Sequence, residues 1–232
     1  MPAALNPFIE HHVCGLTFAD IGGLWGTVNE KVSVASNAGA KSATLIDITP
    51  QGHEMWAVVR EHCASMGVSG YREVTGNLDD VSLPERVGTF EFVHCSGIIY
   101  HCPNPIETLN RLHALTQKYL LLGSMTVPRD VVGKAGALRL DTGSCLFLPA
   151  VSGIQKEIVA DHFADRGVRV HNIDPTLTAP WYLDGAPSYE PWWWLWTPET
   201  LAAMVAASNF RVIDVVEAWS PELAHAVFAE KM

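Results

Sequence analysis

The chain has 232 residues, 48% of them hydrophobic, and carries 25 acidic against 15 basic side chains for a formal net charge of −10. That length fits one α/β domain with an elaboration, and the acid excess, with no basic run anywhere, argues against a partner held by its phosphate backbone. Five cysteines without a C-x-x-C pair fit a reducing compartment better than a disulfide framework; no apolar stretch is long enough to span a membrane and the N-terminus lacks a signal-peptide pattern, so a cytoplasmic protein with no membrane contact is expected.

Near the N-terminus, Phe8 and Ile9 are expected to pack on a sheet, and the adjacent His11 and His12 read as surface residues rather than a metal pair. Residues 16–28, LTFADIGGLWGTV, then read as a buried strand closed by Asp20, a turn rich in glycine, and the start of a helix. Gly22, Gly23 and Gly26 let the backbone bend sharply and approach a ligand. In an open α/β sheet, nucleotide ligands collect at such a strand-to-helix turn. The turn departs from G-x-G-x-x-G because Leu24 occupies the middle glycine position of D-x-G-x-G-x-G. The helix is expected over 27–37, with Val28, Val32 and Ala35 inward and Gly39 as its end.

ATLIDI, residues 43–48, is a second apolar run and closes on Asp47. Its distance from the glycine turn is close to the roughly 20-residue offset at which a carboxylate meets ribose hydroxyls. A turn-forming aspartate is the plainer alternative. A helix over 53–66 follows, with Met55, Val58, Val59, His62 and Met66 on its inner face, and a third strand runs from Tyr71 to Val74, interrupted by Arg72 and Glu73. TGNLDD, residues 75–80, is either a ligand-facing loop or a turn built from residues that favour turns. Phe90, Phe92 and Val93 mark the fourth strand, and Cys95, Ser96 and Gly97 sit at its ligand-side end. His94 stands beside them, and alternation leaves a buried orientation open for it. Ile98 to His101 should border a pocket before a helix that Asn104 caps and Pro105 begins. Lys118 to Leu122 is the fifth strand.

Residues 124–196 exceed any ordinary connection and are treated as an insertion into a core of 16–123 and 197–232. A helix over 154–165 ending at Gly167 and a short strand over 168–171 are expected within it. Trp181, Trp192, Trp193, Trp194 and Trp196 read in two ways: a substrate wall or lid, or core and oligomer packing. Trp181, Trp192 and Trp193 are taken as the substrate contacts, and a homo-oligomer is compatible with the second reading. No ligand spacing for a metal stands out. Thr197 opens the last helix, and Arg211–Ala218 and His225–Glu230 read as an antiparallel hairpin around Ser220-Pro221.

On the motif D-I-G-G-L-W-G the chain resembles class I methyltransferases that use S-adenosylmethionine, and the closing hairpin is typical of them. GIIYHCPNP, followed by a leucine-bearing helix and KYLLLGSMTV, is similar to the LYH…P segment of a subgroup that includes transferases modifying the wobble uridine of tRNA, some of them carboxymethyl transferases. The resemblance implies a Rossmann-like, seven-stranded, mostly parallel sheet with helices on both faces, a C-terminal antiparallel hairpin and an inserted substrate lid. It implies S-adenosylmethionine as cofactor, held by Asp20, Gly22, Gly23, Gly26, Asp47, Ile48, Asn77, Leu78, Cys95 and Ser96, with Asp79 a second candidate for the adenine. It also implies that the matching histidine, His101, borders the substrate side; an ordinary histidine pKa of about 6.5 suits a general base, so His101 is the first candidate where the acceptor must lose a proton, with a packed or helix-entry histidine as the alternative, and Tyr100 is taken to orient the acceptor. A tRNA substrate does not carry over, because the basic surface it needs is missing. The expected activity is methyl transfer, most readily to oxygen, on a small molecule. An RNA-modifying transferase, a non-catalytic cofactor binder and a nicotinamide oxidoreductase remain as alternatives.

Overall fold

Apolar strands closed by acids or small residues, alternating with amphipathic segments, build a parallel sheet with helices as crossovers. In a computed structural model that describes residues 2–232, except for the surroundings of residues 2, 3 and 26–28, the elements follow one another in that way. They are α1 (Asn6–His12), β1 (Thr17–Ile21), a tight helical turn (Gly23–Asn29), α2 (Val32–Asn37), β2 (Ser42–Asp47), α3 (Glu54–Ser65), β3 (Arg72–Thr75), α4 (Leu83–Val87), β4 (Phe90–Ser96), α5 (Pro105–Leu115) and β5 (Thr116–Met125). Then come β6 (Asp130–Gly133), β7 (Gly136–Arg139), β8 (Cys145–Phe147), α6 (Gly153–Ala164), β9 (Tyr182–Leu183), β10 (Ala186–Pro187), β11 (Trp194–Trp196), α7 (Pro198–Ala207), β12 (Phe210–Glu217) and β13 (Ala224–Lys231).

The main sheet has seven strands in the order β12-β13-β5-β4-β1-β2-β3. β1 pairs in parallel with both β2 and β4, so the direction of winding reverses at β1 and opens a crevice beyond the C-terminal strand ends. β13 is antiparallel to both of its neighbours, β5 and β12. This is the expected Rossmann-like sheet with its closing hairpin. Between β5 and α7 the chain forms three small two-stranded sheets and α6.

Several local expectations are corrected. The helix expected over 27–37 starts only at Val32, because the Asp20 carboxylate takes the Lys31 amide at 2.7 Å and Glu30 takes the Ser33 amide at 2.9 Å. Gly26 and Val28 lie outside the described residues. On α3 the buried stripe is Trp56, Val59 and Cys63, while Val58 and Met66 are each 49% exposed. The indole N–H of Trp56, bonded to the Thr49 carbonyl at 3.2 Å, fixes that rotation. β3 is polar because it is a sheet edge. Residues 168–171 form no strand; a turn from Ile173 N–H to the Val170 carbonyl occupies that place. Asn104 precedes α5 without a side-chain capping bond.

Candidate active site

The crevice at the switch point is a cavity of about 880 Å³, toward the upper end of the usual range for small-molecule sites. Four of the five parallel strands contribute their C-terminal ends: Asp20 and Gly22 at the end of β1, Asp47 and Ile48 at the end of β2, Asn77 and Leu78 after β3, Ser96 and Gly97 at the end of β4. Gly22 adopts a left-handed backbone, φ +81°, and a Cβ there would lie 2.3 Å from Ile98 Cδ1. A Cβ on Gly23 would lie 2.5 Å from Asp20 Oδ2 and 2.7 Å from Leu45 Cδ1. The two glycines therefore make room for protein atoms that shape the wall.

Both strand-end carboxylates are buried at the cavity wall. Asp20 Oδ1 meets His94 Nδ1 at 2.7 Å, and Oδ2 accepts the Lys31 amide at 2.7 Å. Asp47 Oδ1 accepts the Thr49 amide at 2.9 Å and Oδ2 the Leu24 amide at 3.3 Å. Each oxygen of Asp47 keeps a further lone pair. The Lys31 side chain also lines the cavity, and burial, partly offset by Asp20 and Glu30, lowers its pKa.

The opposite wall comes from the segment after β4 and from the insertion. Tyr100, His101, His171, Tyr189 and Glu190 line it. His101 Nδ1 lies 3.2 Å from the Pro191 carbonyl oxygen, so it carries the proton and donates. Burial pushes the His101 pKa down to about 4, against smaller opposing contributions from backbone carbonyl bonds. Burial raises the Tyr100 phenol. Tyr189 donates to Asp79 Oδ2 at 2.6 Å and accepts from the Asn77 amide at 3.3 Å. That bond ties the insertion to the loop after β3.

Of the residues named from sequence, Asp20, Gly22, Gly23, Asp47, Ile48, Asn77, Leu78, Ser96, Tyr100 and His101 meet around this cavity. Cys95 does not line it: strand alternation turns its side chain into the core, fully buried. Trp181, Trp192 and Trp193 do not line it either. Trp192 packs edge-on against Tyr100 and Phe163 with ring centroids 4.8 and 5.8 Å away, and Trp193 donates its indole N–H to the Ser188 carbonyl. Trp181 packs on Trp193 at 4.9 Å. The tryptophans at the cavity are instead Trp25 and Trp219. Lys31, His94, His171, Tyr189 and Glu190 were not among the expected site residues. For His94 the signal was present, a polar residue two positions before Ser96 on a buried strand. Among the described residues no group of three or more His, Cys, Asp or Glu is arranged to hold a metal ion, and no helix is long and apolar enough to cross a membrane.

Solved structures share this architecture. Magnesium protoporphyrin IX methyltransferase from Synechocystis PCC 6803, with S-adenosylmethionine bound, aligns at TM-score 0.56 and 12% identity over 100% of this chain and 78% of the other. The 1,6-didemethyltoxoflavin-N1-methyltransferase of Burkholderia thailandensis, with 1,6-didemethyltoxoflavin and S-adenosylhomocysteine bound, aligns at 0.57 and 13% over 100% and 78%. An S-adenosylmethionine-dependent methyltransferase from Mesorhizobium loti aligns at 0.58 and 15% over 100% of both chains. The fold is that of S-adenosylmethionine-dependent methyltransferases. No protein-family model and no curated protein matches the chain.

Proposed function

We propose that the chain is a methyltransferase that uses S-adenosylmethionine and acts on a small molecule. The observation that carries this reading is the cavity at the β1 switch point, with Asp20 and Asp47 both in its wall. Its residues fit the cofactor. Asp47 has lone pairs left for two ribose hydroxyls, and charge-assisted bonds of that kind are the strong ones. Ile48 and Leu78 supply apolar faces for a flat ring, and Asn77 supplies polar groups beside them. Asp20 puts negative charge, and Lys31 positive charge, near the glycine turn where the amino-acid end would lie.

The bound sulfonium supplies an activated methyl group, so the protein's work is alignment and exclusion of water. The insertion is suited to that task as a lid, since His171, Tyr189 and Glu190 close one side of the cavity. With its pKa near 4, His101 is neutral around pH 7 and serves as a hydrogen-bond partner for the acceptor beside Tyr100. Oxygen is the proposed acceptor atom. The excess of 25 acids over 15 bases favours a small acceptor over RNA. The cysteines, none of them in a disulfide, favour the cytoplasm.

The test is transfer of labelled methyl from S-adenosylmethionine to a cell extract separated by size. Label in the small-molecule fraction is expected. Label confined to RNA or protein, or no transfer at all, would overturn the proposal.

A further inference from the structure

At the base of the cavity three side chains stand in series. Asp20 Oδ1 lies 2.7 Å from His94 Nδ1, and His94 Nε2 lies 2.8 Å from Ser96 Oγ. Sheet geometry produces this order. Asp20 and His94 are register partners across the β1–β4 ladder, and His94 and Ser96, two apart on β4, project to the same face. The ionised carboxylate only accepts, and its other oxygen already holds the Lys31 amide at 2.7 Å. His94 therefore carries its proton on Nδ1, and its bare Nε2 accepts the Ser96 hydroxyl.

A second observation concerns the space around Ser96. Its neighbour across the ladder on β5 is Gly123. A Cβ on Gly123 would lie 2.5 Å from Ser96 Oγ and 2.7 Å from Trp219 Cζ3. A glycine inside a strand weakens it and commonly marks a close approach by another group; here that group is the serine oxygen. His94 is 4% exposed, whereas Ser96 is less buried and lines the cavity.

We propose that Asp20, His94 and Ser96 form a proton relay through which the methyl acceptor, a hydroxyl compound, loses its proton. The proposal rests on the methyltransferase reading. As the acceptor's lone pair forms its bond to carbon, the S–CH3 bond breaks and its electron pair stays on sulfur. The acceptor's proton passes to Ser96 Oγ while the serine's own proton moves to His94 Nε2. Asp20 holds the resulting imidazolium until that proton is lost to solvent. The other ionisable groups of the cavity are Lys31 just before α2, Asp47 from β2, and Tyr100, His101, Cys102, His171, Tyr189 and Glu190. None of these occupies a position between Ser96 and His94.

An activated serine can be tested without an acceptor. Diisopropyl fluorophosphate forms an O–P bond with such a serine as fluoride leaves and the proton goes to the histidine. Label on the peptide carrying Ser96 is expected. The rate should fall about 10²-fold or more in His94→Gln and the label should vanish in Ser96→Ala. An unlabelled Ser96, or an unchanged rate in a folded His94→Gln protein, would overturn the relay. Should that variant not fold, nitrogen-15 NMR of the unaltered chain decides: a proton on Nδ1 of His94 is expected, and a proton on Nε2 overturns the relay. Calorimetric binding of S-adenosylmethionine separates the two claims. Binding without label sinks the relay alone, and label without binding sinks methyl transfer.

Discussion

His101 shows how one side chain's surroundings set its chemistry. Burial among Tyr100 and the 189–191 backbone holds its pKa at about 4, below the ordinary 6.5. Between those values the unfolded chain binds a proton that the folded chain does not, so this residue makes stability rise with pH. Its contribution is complete above about pH 6.5 and is lost as pH falls toward 4, by at most about 3 kcal/mol. Burial also lowers His12, His113, His162 and His225, so the wild-type slope alone does not isolate His101. The difference between wild type and His101→Gln does. Urea unfolding at pH 7.5 and pH 5 should show the variant losing less stability on acidification than the wild type; equal losses would contradict the burial argument. Asp20, Asp47 and Ser96 were legible in sequence because strand ends announce themselves. Lys31 was hidden because only the curl of the turn brings it back to Asp20. The tie between His94 and Asp20 was hidden because it depends on strand register, which no local pattern encodes.

At the scale of elements, periodicity located the seven strands of the main sheet, but it placed a strand over 168–171 that does not form, missed the short strands β6 to β11 of the insertion, and misplaced the helix after the glycine turn. Two carboxylates, Asp20 and Glu30, capture backbone amides there and postpone the helix. The insertion was legible as an anomaly of length, but not in its attachment. One of its anchors, beside the bond from His101 to the Pro191 carbonyl, is the 2.6 Å bond from Tyr189 to Asp79, whose other oxygen accepts from Thr108 at 3.1 Å. Trp181, Trp192 and Trp193 were expected at the cavity, yet Trp193 gives its indole N–H to the Ser188 carbonyl, Trp181 packs on Trp193, and Trp192 fills space beside Tyr100 and Phe163. Removing the Tyr189 hydroxyl deletes a bond to a carboxylate, a kind that contributes about 1.5–3 kcal/mol. Tyr189→Phe should therefore speed amide exchange across residues 181–191 and leave the strands β1, β4 and β5 as protected as before. Exchange mass spectrometry reads both regions at once. An unchanged 181–191 segment would mean that the loop is held elsewhere.

For the whole molecule, strand order and chain order disagree where it matters most. β13 lies between β12 and β5, so the sheet is closed by a strand that enters after every other strand has been laid down. Its residues Ala224, Ala226, Val227, Phe228 and Ala229 are buried at 2% exposure or less. Phe228 stacks near Phe92 at 6.1 Å and Phe8 at 5.3 Å, which links α1, the middle of the sheet and the hairpin. Without β13, β5 becomes an open edge, β12 loses its ladder, and α1 loses the ring it packs on. A chain lacking residues 224–232 should therefore show no cooperative thermal transition and should expose apolar surface to a hydrophobic dye. The cavity residues all lie outside that segment, so the truncation leaves every ligand-facing side chain in the sequence. Its loss of S-adenosylmethionine binding would thus report the sheet's dependence on β13 rather than a missing contact. A truncated protein that still unfolded cooperatively would show instead that β1 to β5 form a self-sufficient core, with the hairpin as an accessory.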